Sequence, residues 1–236
     1  MNTYTFKDKL LGKYNFALDD ETFVPTQTSN CIIHAALEVI DKPSSILDLG
    51  CGCGVVAILI SKHTKHEVNL SASDLSNTVT RIVKYNAEDY GVKIDVRKSD
   101  IFDAWQDNKF DFIINDISGV SEKIASISPW FNNISCEAGE GGNLLVNEVL
   151  ENAYKYLNDK GKLIFPIISF SNKEAILTKA KQHFKNIDLV ERQEWPVPNE
   201  MLEHKDLLET LKEQGLIDYK LSFGKVIGYT EIYSAY

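Results

Sequence analysis

Short apolar runs rich in β-branched residues alternate along this chain with longer stretches in which apolar side chains recur every three to four positions. That alternation predicts strands joined by crossover helices, and hence a parallel sheet covered on both faces. Seven strands are predicted, at Ser45–Leu49, Glu67–Ala72, Val92–Arg97, Phe110–Ile114, Lys162–Ile167, Ile187–Trp195 and Val226–Ser234. Helical periodicity marks Gly54–Lys62, Ser76–Tyr90, Leu144–Leu157, Lys173–Phe184 and Met201–Gln214. Gly91 is a stop signal after the second of these. The expected fold class is therefore α/β, a doubly wound and mainly parallel seven-stranded sheet in one domain over residues 1–236. Residues 1–28 read as an N-terminal extension, and 116–143 and 196–222 as insertions at the substrate-facing edge of the sheet.

Composition narrows the function classes. The 236 residues carry a net charge of −9 at an ordinary 44% hydrophobic content. An acidic chain offers few clustered Lys and Arg for phosphate contacts, so nucleic-acid binding is disfavoured. No apolar run approaches the roughly 20 residues of a membrane span. The amino terminus lacks the basic and apolar regions of a secretory signal, and a cytoplasmic location is expected. Cys31, Cys51, Cys53 and Cys136 form no C-x-x-C pair, which points to neither a zinc site nor a disulfide framework. His34, His63, His66, His183 and His204 show no ligand spacing, so no metal is expected.

The most informative segment is Asp48-Leu49-Gly50-Cys51-Gly52-Cys53-Gly54, between a strand and a helix. Glycines here let the backbone turn sharply and approach a ligand closely. A dinucleotide fingerprint, G-x-G-x-x-G, requires its third glycine at position 55, where Val55 stands. A nicotinamide cofactor is disfavoured accordingly. The carboxylate of Asp48 would repel a pyrophosphate and suits a ligand bearing an amino group and a sulfonium. Small residues simply fit such a turn, so Cys51 and Cys53 read as packing rather than as thiol chemistry. Asp74 follows the next strand, where a doubly wound sheet places a ribose-binding acid; an ordinary helix N-cap is the alternative. Asp100 follows the third strand in Ser99-Asp100-Ile101-Phe102, with a solvated loop acid as its alternative.

The strand–D-x-G-x-G-x-G–helix unit resembles motif I of the class I S-adenosylmethionine-dependent methyltransferases. Phe23-Val24-Pro25-Thr26, Ser99-Asp100-Ile101-Phe102, Phe110–Asn115 and Gly139-Glu140-Gly141-Gly142 extend the likeness to the methyltransferase small-domain superfamily, over roughly residues 20 to 170. That superfamily includes the release-factor glutamine methyltransferases and ribosomal-RNA base methyltransferases. The resemblance implies a Rossmann-like methyltransferase fold with S-adenosyl-L-methionine as cofactor. It implies a cofactor site at Thr26, Asp48, Gly50, Cys51, Gly52, Gly54, Asp74, Leu75, Asp100, Ile101 and Asn115. In it Asp74 would grip the ribose and Asp100 the adenine amine.

One departure bears on the acceptor. Members that methylate planar amide or exocyclic nitrogens carry Asn-Pro-Pro-Tyr after the fourth strand. Here Asn115-Asp116-Ile117-Ser118 stands in its place. The candidate catalytic residues are Asn115, Asp116 and Ser118, with Asp116 as base or anchor. Trp130 or Phe131 offers a ring from the connection that follows. Glu122, Glu137 and Glu140 add acids near the sheet mouth, which suits a cationic amine or guanidinium and equally suits a solvated acidic loop. About 28 residues precede the first helix, too few for the substrate-gripping domain of the release-factor enzymes. The expected activity is methyl transfer to a small-molecule acceptor, with an rRNA base, a protein side chain or a non-catalytic binding module as alternatives. The run Glu200–Glu213 fits a lid or a homodimer contact, and both stay open.

Overall fold

The computed structural model describes residues 2–117, 119–131, 134 and 136–236. Its elements begin with two strands, β1 (Asn2–Asp8) and β2 (Gly12–Leu18), that the sequence reading did not anticipate. They pair as an antiparallel hairpin, a separate two-stranded sheet. Phe6, Phe16 and Leu18 on its inner face are buried with the first helix layer, each worth roughly 1.5–3 kcal/mol of apolar transfer. Asp8 closes the turn: its Oδ1 accepts from the Leu10 and Leu11 amides at 2.7 and 2.9 Å. Its Oδ2 lies 3.1 Å from His34 Nε2.

Burial pushes the Asp8 carboxyl up, but the Leu11 and Leu10 amides with His34 and Asn30 outweigh it and hold it at about 2. A depressed folded-state value contributes stability that is complete above the unfolded value of 3.8 and is lost as pH falls through about 2. Asp8→Asn should therefore flatten the acid limb of the stability profile between those two values. Urea unfolding at stepped pH measures it, and an unchanged acid limb in the variant counts against the assignment.

After α1 (Gln27–Val39) the chain runs β3 (Ser44–Leu49), α2 (Val55–His63), β4 (Val68–Asp74), α3 (Asn77–Asp89) and β5 (Ile94–Lys98). A 3-10 turn at Asp103–Trp105 precedes β6 (Phe110–Asn115), and α4 (Glu122–Ala125) lies in the long connection beyond it. Then come α5 (Leu144–Asn152), β7 (Leu157–Ile168), α6 (Lys173–His183), β8 (Ile187–Pro196), α7 (Asn199–Leu202), α8 (Lys205–Glu213), β9 (Lys220–Ser222) and β10 (Lys225–Ala235). The main sheet has the order β5-β4-β3-β6-β7-β10-β8, with short β9 added beside β10. The seven expected strands form that path; β9 is the eighth strand of the sheet. Strands β3 to β7 pair in parallel, and β10 pairs antiparallel with both β7 and β8.

Two predicted helices are corrected. The expected Leu144–Leu157 helix stops at Asn152 and tightens into a 3-10 turn over Ala153–Lys155, because Leu157 already pairs with Phe110 of β6. The expected Met201–Gln214 helix breaks in two around Glu203 and His204, with α7 and α8 as its halves.

Pleat parity divides the core. Ile46 and Ile114 face the α1–α2–α3 layer, while Leu47, Leu49 and Ile113 face α5 and α6. A third apolar cluster lies past the carboxyl ends of the strands. Val120, Ile124 and Phe131 from one insertion meet Val197, Met201, Leu208 and Leu211 from the other. The two predicted insertions thus pack on each other, and Leu208 and Leu211 of α8 are buried within the chain. No helix among the described residues is long and apolar enough to cross a membrane.

Candidate functional site

The carboxyl ends of β3, β4, β5 and β6 converge on one cavity of about 620 Å³. Doubly wound sheets bind ligands at this edge. The turn after β3 forms its floor. Gly50, Gly52 and Gly54 all have positive φ, at 71, 50 and 82°. The Gly50 and Cys51 amides donate to the Ser73 carbonyl at 3.0 and 3.1 Å, and the Gly52 amide donates to Asp74 Oδ2 at 3.2 Å. A Cβ on Gly50 would come within 2.8 Å of Ile117 Cγ1. Glycine is needed there because the loop after β6 lies directly against the turn.

Asp74 lines the cavity, and its Oδ1 accepts from the Ser76 amide at 3.2 Å. Ser76, not Asp74, is the N-cap of α3, so the N-cap alternative for Asp74 is not realised. Burial raises the Asp74 carboxyl against the lowering by the Ser76, Gly52 and Leu75 amides. Leu75, Asp100 and Ile101 line the same cavity, as do Glu21 and Thr26. Leu75 is 62% exposed, and Ile101 holds a φ of 40°. A β-branched residue in the left-handed region is strained, and such strain clusters at ligand sites.

Several expected site residues sit elsewhere. Asp48 is fully buried and does not line the cavity: strand parity turns it beneath the turn, where its Oδ2 accepts from the Ala57 amide of α2 at 3.2 Å. Burial, reinforced by Asp116 and then Asp74, pushes its carboxyl well above the usual range. Its Oδ1 has no hydrogen-bond partner. Gly54 supports the turn from behind, packed against Val83 and Ile58. Asn115 is buried at the tip of β6 and off the cavity wall, its Oδ1 accepting from the Ile117 amide at 3.3 Å. Ser118 lies outside the described residues. Glu122 caps the Gly139 amide at 2.8 Å and Glu140 pairs with Lys123 at the surface; neither reaches the cavity. Burial pushes the Cys53 thiol up to about 12 and Cys51 well above its ordinary value, which leaves no thiolate for nucleophilic work. No group of His, Cys, Asp and Glu suited to a metal occurs among the described residues.

Asp116 does face the cavity. Its amide donates to the Leu49 carbonyl at 3.0 Å, and its Oδ2 accepts from Ser29 Oγ at 2.8 Å. Ser29 belongs to the first turn of α1, whose N-cap Thr26 accepts from the Thr28 amide at 3.3 Å. Burial carries the Asp116 carboxyl up to about 7 against the lowering by Ser29. Beyond Asp116 the wall becomes aromatic. Trp130 and Trp195 meet edge to face at 5.5 Å, and Phe23 lies 5.2 Å from Phe131. All four line the cavity. Trp195 is held by a bond from its Nε1 to Thr230 Oγ1 at 3.0 Å. The sequence offers Trp130 and Phe131 as candidate rings and Phe23 only as part of its motif, and gives no signal for Trp195 or Ser29. Among the described lining residues six are acidic (Glu21, Asp74, Asp100, Asp116, Glu137, Glu148) and none is Lys, Arg or His.

Residues 30–116 match the family model of the methyltransferase small domain. The release factor glutamine methyltransferase of Streptococcus pneumoniae is 25% identical over 156 residues, which is 64% of this chain and 55% of the relative. The chain thus spans about half the length of that relative. The tRNA1(Val) (adenine(37)-N6)-methyltransferase of Actinobacillus pleuropneumoniae is 26% identical over 171 residues, covering 72% of this chain and 70% of the relative. Among solved structures, a 16S rRNA N2 G1207 methyltransferase of T. thermophilus, in complex with AdoMet and guanosine, shares the fold. Its TM-score is 0.60 at 13% identity, over 99% of this chain and 50% of that one. The ribosomal protein L11 methylase of Lactobacillus delbrueckii subsp. bulgaricus shares it with a TM-score of 0.55 at 18% identity, over 91% and 82%.

Proposed function

We propose that this protein, whose residues 30–116 match the family model of the methyltransferase small domain, transfers a methyl group from S-adenosyl-L-methionine to a small-molecule acceptor bearing a cationic nitrogen. The glycine turn lines the cavity through Gly50, Cys51 and Gly52, and a Cβ on Gly50 would push it off the Ile117 loop, which supports a close approach of the cofactor there. Gly50, Cys51 and Gly52 would pass under its amino-acid arm. Asp74 would accept from the ribose hydroxyls, Leu75 and Ile101 would flank the adenine, and Asp100 would accept from its amine. Thr26, the N-cap of α1, lines the same cavity. When bound, the cofactor supplies a sulfonium methyl open to in-line attack. The protein's part is positioning and the exclusion of water.

Asp48, being buried, acts on this site by supporting the turn from below rather than by touching the ligand. Asn115 shapes the loop that presents Asp116, and Ser118 stays a candidate on sequence grounds. The observation that carries the acceptor reading is the cavity wall itself, acidic and aromatic with no basic lining residue. Carboxylates and ring faces both attract a cation. The named substrates of the relatives favour a second reading, a tRNA base or a protein glutamine. An acid-lined cavity repels phosphate, which weighs against the nucleic-acid form of it.

Calorimetry with S-adenosylhomocysteine tests the cofactor assignment. Binding is expected, and Asp74→Ala should weaken it about tenfold to thirtyfold through loss of a charge-assisted hydrogen bond. No binding to the unaltered protein overturns the reading. Labelled methyl transfer in a lysate separates the acceptor classes: label in RNA or protein removes the small-molecule acceptor.

A further inference from the structure

Resting on that reading, we propose that Asp116, positioned by Ser29, binds the acceptor as a protonated primary or secondary amine and takes its proton before methyl transfer. The acceptor class is thus amines, to the exclusion of carboxamides. The first support is chemical. Amide and exocyclic nitrogens carry a delocalised lone pair and are neutral; what they require is hydrogen-bond acceptors held against a planar group. An ammonium has no free lone pair at all, and it becomes a nucleophile only after giving up a proton. Asn115-Asp116-Ile117-Ser118 supplies an ionisable carboxyl on the cavity wall.

The second support is geometric. Ser29 Oγ holds Asp116 Oδ2 at 2.8 Å, which leaves Oδ1 for the acceptor. The Asp116 amide is tied to Leu49 at 3.0 Å, so the carboxyl stands beside the glycine turn on which the methyl donor would lie. Trp130 and Trp195 wall the far side, where ring faces suit an alkylammonium.

The groups that act on Asp116 are all acidic or neutral. Asp48 lies on the β3 side and Cys53 on the turn, while Ser29 and Cys31 belong to α1. Glu137 and Glu148 line the same cavity. No lining cation competes for the carboxylate among the described residues.

The step balances as follows. The ammonium N–H proton passes to the Asp116 carboxylate, leaving a neutral amine. The nitrogen lone pair then forms the N–C bond as the C–S bond breaks, and that electron pair stays on sulfur as a neutral thioether. The methylated ammonium leaves, and Asp116 returns its proton to water.

The test uses the protein saturated with S-adenosylhomocysteine and titrated with 2-phenylethylamine, with phenylacetamide as the neutral control. Amine binding is expected to be at least tenfold tighter at pH 8 than at pH 5.5, and the amide should show no such preference. Asp116→Asn should lose at least tenfold of the amine affinity at pH 8 while still binding S-adenosylhomocysteine. Ser29→Ala should keep the amine site but move its acid limb upward by about one pH unit, since a hydrogen bond to the charged form is lost. Ser29→Thr, which retains the hydroxyl, should restore the original limb. Amine binding that is absent, indifferent to pH, or unchanged in Asp116→Asn overturns the proposal while leaving the cofactor assignment intact. Failure of S-adenosylhomocysteine to bind is the separate failure of the functional reading on which the proposal rests.

Discussion

Replacing Gly50 by alanine should abolish binding of S-adenosylhomocysteine, with at least a hundredfold loss of affinity in a protein that remains folded. Two costs add at this residue. Its φ of 71° lies in the left-handed region, where a side chain costs roughly 1–2 kcal/mol. The new Cβ would also stand 3.1 Å from both the backbone N and Cα of Ile117, and backbone cannot rotate away as a side chain can. Relief requires the turn and the loop after β6 to separate, which displaces the Cys51 amide from Ser73 and Asp116 from its hold on Leu49. The cofactor floor and the acceptor wall would move together. Gly52→Ala is the informative control, because its Cβ meets nothing within 4 Å while its φ is also positive, at 50°. It should cost only the conformational part. Calorimetry on both variants, with circular dichroism for folding, decides this. Equal losses in the two would show that conformation alone, not the contact with Ile117, sets the requirement for glycine.

The pattern of the chain reveals the sheet because a parallel strand is buried on both faces, so runs such as Phe112–Ile114 read as continuous apolar segments. The turn at Gly50–Gly54 is equally legible, since positive φ restricts the residue type at each glycine. The β1–β2 hairpin carries a signal that went unread. Tyr4 and Phe6, then Tyr14, Phe16 and Leu18, alternate with polar residues around Gly12. Strand parity likewise foretells the burial of Asp48: it shares a face with Ile46, which packs under the helices, and its Oδ2 accepts from the Ala57 amide of α2.

The acceptor wall was less legible because no local pattern generates it. Phe23, the adjacent Trp130 and Phe131, and Trp195 come from three segments far apart in sequence, the N-terminal extension, the first insertion and the end of β8, and meet only in the folded chain. Ser29 reads as an ordinary helix residue until β6 brings Asp116 to it. The loop acids divide for a similar reason. Glu122 and Glu140 bind an amide and a lysine of their own loop away from the cavity, whereas Glu137 is among the residues that line it. Side-chain charge identified the candidates, but tertiary partners decided which of them serve the site.

Truncating Trp105 to alanine should produce the largest loss of stability, and it should also weaken the cofactor site. The ring is fully buried, lies edge to face with Phe110 at 5.7 Å, and carries the Arg97 guanidinium 4.2 Å from its centroid. Removing a buried tryptophan costs about 3–5 kcal/mol, a large part of the 5–15 kcal/mol that holds most domains folded. A lower urea midpoint with an unchanged slope is the expected result. The link to function runs through one bond: Trp105 Nε1 donates to Ser73 Oγ at 3.1 Å. The carbonyl of that same Ser73 accepts from Gly50 and Cys51. Trp105→Phe keeps most of the ring and removes the donor, so it should cost less stability yet still loosen the turn. A severalfold loss of S-adenosylhomocysteine affinity in Trp105→Phe is expected. Full affinity in that variant, beside a destabilised Trp105→Ala, would confine Trp105 to packing. Excess ligand adds about 2.7 kcal/mol at a hundred times its dissociation constant. It should therefore recover much of the lost midpoint in either variant, but at a higher ligand concentration than the unaltered protein needs. That shift in required concentration measures how far the core beneath β4 and β5 sets the geometry of the turn above it.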